Sequence, residues 1–125
     1  MATIRSYRDL DAWKRAMTLA VEVYRISERL PRQELFGPTH QMRRAVVSIP
    51  SNIAEGHGRL TRQAYVNHLN IALGSLAEVE THLALAIRLE YTNESSTQDV
   101  VRYARETGQL VMALVHALEK PQNAA

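Results

Sequence analysis

The sequence predicts an all-α protein, an antiparallel up-down-up-down four-helix bundle that forms an oligomer. Apolar residues recur at three- and four-residue steps along most of the 125 residues, and no segment alternates as a strand would. The 5 glycines and 4 prolines lie mainly in residues 31–58 and beyond residue 119, which leaves long stretches for helices. Hydrophobic residues make up 46% and charged residues 22%, as in ordinary globular proteins.

The first helix is predicted from Asp9, as its N-cap, to Leu30. Pro31 ends it, because the residue before a proline avoids the α conformation. Its apolar residues form two adjacent rows, which make a wide apolar face. The rows are Ala16, Leu19, Val23, Ile26 and Leu30, and Leu10, Trp13, Met17, Ala20 and Tyr24.

The second helix is predicted from Thr39, as its N-cap, to Glu55. Pro50 lies inside it, and we expect a kink there because proline lacks a backbone donor and clashes with the preceding turn. Gly56 and Gly58 follow and tolerate the positive φ that a helix exit can require. The apolar row of this helix is Met42, Ala45, Val46, Ile49 and Ile53.

The third helix is predicted over residues 61–91, with Thr61 as its N-cap, and the fourth over residues 97–119. Gly74-Ser75 in the third helix suits a tight helix crossing, and Gly108 interrupts the fourth. The first and third helices are apolar over more than one face. A second copy of the chain is the simplest cover for that excess, so we predict a homo-oligomer.

Several protein classes are excluded by composition. There is no cysteine, which rules out disulfides, thiol catalysis and cysteine-ligated metals. No apolar run is long enough for a membrane span, so we expect a cytoplasmic protein. At this length we expect a single domain over residues 1–120, followed by a flexible C-terminal tail, residues 121–125.

One stretch carries a specific family signal, from Arg43-Arg44-Ala45 to Ser51-Asn52-Ile53-Ala54-Glu55-Gly56. It resembles the small bacterial four helix bundle protein family, also called 23S rRNA intervening sequence or S23-like proteins. Shorter matches flank it. They are Leu10 and Trp13, Phe36-Gly37, Gly58-Arg59, Ala72-Leu73-Gly74-Ser75-Leu76 and Glu78-Val79-Glu80-Thr81. The resemblance covers residues 9–91, and the fourth helix matches only in pattern.

The resemblance implies a left-handed antiparallel bundle assembled as a ring-shaped homopentamer, with no enzymatic activity attached to it. The accessory protein of diversity-generating retroelements is a similar pentameric bundle that works with a reverse transcriptase and binds nucleic acid. That comparison rests on the fold and carries little weight for function.

Charge is distributed unevenly along the chain. Residues 25–62 carry seven arginines against three glutamates, whereas residues 78–106 carry six acids against three arginines. Arginine suits phosphate, so Arg43, Arg44, Arg59 and Arg62 are the candidate contacts to RNA or DNA. The alternative is a structural polar network of Arg44, Asn52 and Glu55 in a protein–protein adaptor that binds no nucleic acid. Glu55 favours this alternative, because a carboxylate repels phosphate.

Catalytic and cofactor motifs are weak. Glu78 and His82 are spaced for a shared metal ligand, but the Glu-x-x-His pattern of two-iron bundles is absent. No serine lies in a glycine-framed nucleophile turn. We therefore expect no enzyme, no cofactor and no metal. Trp13, Tyr24, Tyr65 and Tyr103 fall on core rows, which leaves Tyr7 as the one candidate for an exposed stacking arm.

Overall fold

A computed structural model describes residues 3–120 of the chain. It has four α-helices, α1 (Asp11–Ser27), α2 (Pro38–His57), α3 (Arg62–Arg88) and α4 (Glu94–Glu119). Short 3-10 turns, Tyr7–Asp9 and Arg32–Glu34, precede α1 and α2. Over residues 3–120 there is no strand, so the all-α prediction is confirmed for that part. The predicted tail, residues 121–125, lies outside the described residues.

The helices are arranged as a square in which each has two neighbours. Helix α1 packs against α2 and α4, and α3 packs against the same two. Within the described part of the chain, α1 makes no close backbone approach to α3, nor does α2 to α4. The square is closed between α1 and α4. There, an ion pair joins Arg15 Nε to Glu106 Oε2 at 3.1 Å, and the Arg15 guanidinium lies 5.5 Å from the Tyr103 ring.

Side chains from all four helices form one apolar core. The largest of them that are fully buried are Leu19, Val23, Met42, Val46, Ile49, Ile53, Leu69, Val79, Val100 and Val111. The first apolar row predicted for α1 is therefore largely correct. In the second row Met17 is 41% and Tyr24 39% exposed, so the expected burial of Tyr24 is wrong. A wide apolar face on α1 thus extends beyond what this bundle covers.

The ends of α1 differ from those predicted. Asp9 is not its N-cap. The Asp9 carboxylate instead accepts from the backbone N–H groups of Arg5 at 2.8 Å and Ser6 at 3.2 Å, in the capping box of the 3-10 turn. These two bonds, the Arg5 bond foremost, lower the pKa of Asp9. At its other end α1 stops at Ser27, and a short turn leads to Pro31.

Helix α2 begins one residue before the predicted cap. Gly37 is the N-cap and Pro38 the first helical residue, where proline's missing N–H has no consequence. Thr39 is therefore not a cap. It is 1% exposed, and no described group hydrogen-bonds its Oγ1. The helix runs without a break through the buried Pro50, and a kink there stays a prediction.

The connection between α3 and α4 lies three residues earlier in the sequence than predicted. Thr61 is confirmed as the cap of α3, since its hydroxyl accepts from Ala64 N at 3.1 Å. Helix α3 ends at Arg88, before a turn in which Glu90 has φ 61°. Asn93 caps α4 by accepting from Ser96 N at 2.8 Å, so α4 starts three residues earlier than predicted.

Glycine and the remaining aromatic residues give three further corrections. No described glycine has a positive φ, and Gly58 has φ −82°. Gly74 does not mark a tight crossing within the described part of the chain, because none of its atoms lies within 4 Å of where a Cβ at position 74 would be. Tyr7 is not an exposed arm but is half-buried, with its ring centroid 5.4 Å from that of Trp13. Trp13 itself is half-buried, as are Tyr65 and Tyr103.

Candidate nucleic-acid interface

The four arginines predicted to contact phosphate lie in different environments. Arg43 is half-buried between α1 and α2. Its Nε donates to Ser27 Oγ at 2.7 Å, and its guanidinium lies 5.0 Å from the centroid of the Tyr24 ring. The Ser27 hydroxyl in turn donates to the carbonyl of Tyr24 at 2.9 Å. Arg43 therefore ties the end of α1 to the start of α2.

Arg44 and Arg62 are the two arginines of this set that no other side chain holds. Both are exposed, and among residues 3–120 neither forms a hydrogen bond or an ion pair through its side chain. Arg44 and Glu55 do not pair within the chain. They are separated by three helical turns, about 16 Å along the axis. Arg44 on α2 and Arg62 at the start of α3 thus present their guanidinium groups to solvent.

Arg59 is exposed but oriented by a neighbour. It lies in the turn between α2 and α3, and its Nε donates to His68 Nε2 at 3.0 Å. The other ring nitrogen of His68, Nδ1, lies 3.0 Å from Asn52 Oδ1. The Asn52 amide nitrogen donates to Ser48, to the carbonyl at 2.8 Å and to the hydroxyl at 2.9 Å. Ser75 Oγ donates to the same Ser48 hydroxyl at 2.9 Å.

These five side chains form a continuous hydrogen-bonded chain, which we call the α2–α3 seam: Ser75, Ser48, Asn52, His68 and Arg59. Along the seam, Asn52 faces His68 and Ser48 faces Ser75, so residue numbers rise along α2 as they fall along α3. Glu55 lies beside the seam, with its Oε2 3.8 Å from His68 Nδ1. Its side chain is 60% exposed, whereas that of His68 is 17% exposed. Asn52 and Glu55 of the predicted network thus lie together, while Arg44 lies apart from them.

Glycine at position 56 lets α3 approach α2 at the seam. A Cβ there would lie 2.8 Å from His68 Cβ, 3.0 Å from Tyr65 Cδ1 and 3.3 Å from the Tyr65 carbonyl oxygen. Tyr65 also packs edge-on against His57, with ring centroids 5.8 Å apart. Burial raises the pKa of the Tyr65 hydroxyl. Any larger residue at position 56 would push the two helices apart.

Sequence reasoning did not identify three members of the seam, namely Ser48, His68 and Ser75, as parts of one network. The sequence does contain two spacings that are consistent with the seam. Ser48 and Asn52 are one helical turn apart on α2, and His68 and Ser75 are two turns apart on α3. Such spacing places each pair on one helix face, but it does not say which faces meet.

The side of α3 that faces α4 has a different character. An open groove of about 550 Å³ runs between these helices, lined mostly by apolar and small residues that include Leu73, Leu76, Ala104, Gly108 and Met112. Glu80, Arg105 and His116 lie at its rim. Over residues 3–120, no three histidine or acidic side chains are grouped to hold a metal ion. No helix in the described residues is long and apolar enough to cross a membrane.

Comparison with known proteins agrees with the motif between Arg43 and Gly56. The family model described as 23S rRNA-intervening sequence protein matches residues 8–113, which include most of α4. A crystal structure from Bacteroides thetaiotaomicron, of a protein with unknown function from the S23 ribosomal protein family, has 28% sequence identity and a TM-score of 0.77. The match covers 83% of this chain and 97% of that one. No curated protein shows significant similarity. The chain therefore belongs to the 23S rRNA-intervening sequence protein family.

Proposed function

We propose that this protein is a non-enzymatic, cytoplasmic interaction scaffold that binds RNA or DNA through exposed arginines on α2, in the α2–α3 turn and at the start of α3. The observation that carries the proposal is the exposure of Arg44, Arg59 and Arg62 and their lack of carboxylate partners. All three are exposed, and none forms an ion pair with a carboxylate in the described residues. An arginine that is not neutralised by a carboxylate keeps its charge and its donors for phosphate.

Arg43 has a different role in this proposal. Its Nε is bonded to Ser27 and its guanidinium covers the Tyr24 ring, so it joins two helices. That contact is the specific observation favouring the alternative function, a protein–protein adaptor with structural arginines. We therefore retain Arg44, Arg59 and Arg62 as the phosphate contacts and assign Arg43 to the framework that supports them.

We further propose that the bundle is antiparallel, up-down-up-down, and that copies assemble into a homo-oligomer, the pentamer that the family resemblance implies. Sequence-adjacent helices are neighbours in space, and the connecting segments 28–37, 58–61 and 89–93 are short, as this topology requires. Support for assembly comes from the uncovered face of α1, where Met17, Val21 and Tyr24 are 41%, 48% and 39% exposed.

A salt titration tests nucleic-acid binding. The purified protein is titrated with duplex DNA and with single-stranded RNA between 50 and 200 mM salt, alongside the double variant Arg44→Gln/Arg62→Gln. For wild type, log affinity should fall linearly with log salt, with a slope of about 0.9 per phosphate neutralised on duplex DNA. The double variant should bind at least about tenfold more weakly at low salt, and its slope should be smaller by about two for each contacting protomer.

Arg88→Gln/Arg105→Gln is the matched control. It makes the same change in charge at two exposed arginines near the other end of α3 and on α4. An equal loss of affinity in the control would mean that net charge alone drives binding. No binding by wild type even at 50 mM salt would overturn the proposal and favour the adaptor. Light scattering on each variant reports whether the oligomer is retained.

A further inference from the structure

We propose that His68 is the positioning residue of this interface: its neutral ring, fixed by Asn52, holds the Arg59 guanidinium in the orientation that receives a phosphate. The inference rests on the proposed function and adds a residue to the same site. Arg59 uses only its Nε in the bond to His68, at 3.0 Å. Both terminal amino groups of its guanidinium have no hydrogen-bond partner among residues 3–120. Those two groups are the donors that a phosphate engages.

The direction of each bond assigns the tautomer of His68. A guanidinium can only donate, so His68 Nε2 must accept from Arg59. The ring proton then lies on Nδ1, which donates to Asn52 Oδ1 at 3.0 Å. This leaves the Asn52 amide nitrogen to donate to Ser48, as its distances to the Ser48 carbonyl and hydroxyl require. Every bond in the seam therefore has one donor and one acceptor.

Burial makes His68 a rigid support for a flexible side chain. The His68 side chain is only 17% exposed, and its Cβ lies 2.8 Å from the place where a Cβ on Gly56 would be. The imidazole is fixed when the protein folds. Arg59 is then ordered before any phosphate arrives, which reduces the entropy lost on binding. Arg44 and Arg62 lack such a support, so the three arginines are not equivalent.

Nuclear magnetic resonance on the wild-type protein tests the contact without nucleic acid. At pH 8, long-range ¹⁵N spectra should show His68 protonated on Nδ1 and bare on Nε2, and the Arg59 Nε–H should exchange slowly with water. In His68→Leu this slow exchange should be lost, whereas in His68→Gln it should persist, because the glutamine carbonyl can still accept from Arg59. Protonation on Nε2, or an Arg59 signal that does not respond to His68, would overturn the inference.

Binding measurements test the consequence for phosphate. With a mixed-sequence 20-base-pair duplex DNA at 50 mM salt and pH 8, His68→Leu should bind several-fold more weakly than wild type, but no more weakly than Arg59→Gln. The double variant should bind no more weakly than Arg59→Gln alone, because His68 acts only through Arg59. His68→Gln should recover most of the affinity. His116→Gln, an exposed histidine on α4, is the matched control and should bind as wild type does.

The outcomes separate the two proposals. If wild type binds and His68→Leu binds equally well, His68 does not position Arg59 for phosphate, and the proposed function stands. Additive losses in the double variant would overturn the positioning role in the same way. If wild type does not bind, the proposed function fails and this inference fails with it. The wild-type spectrum that assigns the His68 tautomer needs no variant, so an unfolded His68→Leu protein would not prevent the test.

Discussion

The two sides of α3 are closed in different ways. Toward α2 the helices nearly touch at Gly56, and five polar side chains bond across the contact. Toward α4 an open groove of about 550 Å³ remains between mostly apolar side chains. On the first side, directional hydrogen bonds and the missing Cβ of Gly56 therefore fix the spacing of the two helices. On the second side apolar packing alone sets the spacing and leaves room for adjustment.

The largest effect is expected at the tight contact. Gly56→Ala should lower the free energy of unfolding by about 1–3 kcal/mol, as overpacking does in well-packed sites. The new Cβ would meet the Tyr65 carbonyl oxygen at 3.3 Å as well as His68 Cβ, and backbone atoms cannot rotate away. Urea unfolding followed by circular dichroism measures the change. A variant as stable as wild type would show that α2 and α3 can separate without cost.

A somewhat smaller loss is expected when the seam is cut in its middle. Asn52→Ala removes the bonds to Ser48 and leaves His68 Nδ1 without its acceptor, at an expected cost of about 1–2 kcal/mol. Asn67→Ala is the control, since Asn67 is exposed and, among residues 3–120, bonds only to Gln63 on its own helix. Equal unfolding midpoints for the two variants would mean that the seam contributes to orientation but not to stability.

Gly74 on the outward face of α3 gives the reference for the effect of a glycine-to-alanine change on helix stability alone. Gly74→Ala should raise the free energy of unfolding by about 0.5–1 kcal/mol, because alanine is the better helix former and no atom of residues 3–120 lies within 4 Å of the new Cβ. Thermal melting of the isolated variant detects this gain. If the variant is instead less stable or its oligomer dissociates, a second copy of the chain approaches the helix at this position.

The smallest change is expected on the groove side. In Gly108→Ala the new Cβ would lie 3.1 Å from Leu76 Cδ2, the far end of a flexible side chain beside open space. Leu76 can move, so the gain in helix propensity should offset the crowding and leave a net change below about 0.5 kcal/mol. The comparison with Gly74→Ala isolates the crowding. A loss above about 1 kcal/mol would show that the groove side is as rigid as the seam.

Much of the fold can be predicted from the spacing of apolar residues, and the errors of that prediction lie at the helix ends. Leu19, Val46 and Leu69 lie on predicted rows and are fully buried, because a helical period needs no knowledge of the neighbours. Asp9 and Thr39 are both residue types that often cap the start of a helix. In the structure, however, Asp9 belongs to the capping box of the 3-10 turn, and Thr39 is buried in the interior. Local preference could not distinguish these outcomes, since each depends on where the preceding loop packs.

The candidate site was predictable only residue by residue. Arginine content identified Arg59, and Asn52 entered a separate structural network. Their link runs through His68, which is 16 residues from Asn52 in sequence and contacts it only because α2 and α3 meet at one particular register. That register depends on Gly56, so it is a property of the packed helices. Tyr24 was misplaced for a related reason, because its row continues past the surface that the bundle covers.

The contact between α1 and α4 has a consequence for how the molecule folds. In the described part of the chain, every other pair of helices in contact consists of neighbours in sequence, whereas Arg15 and Glu106 join the first helix to the last. Local contacts form on the microsecond-to-millisecond timescale, and the closure of a long loop adds an entropic delay. We therefore expect α1 and α4 to dock last during folding. Their amide protons should also be the first within the helices to exchange when the native state opens transiently.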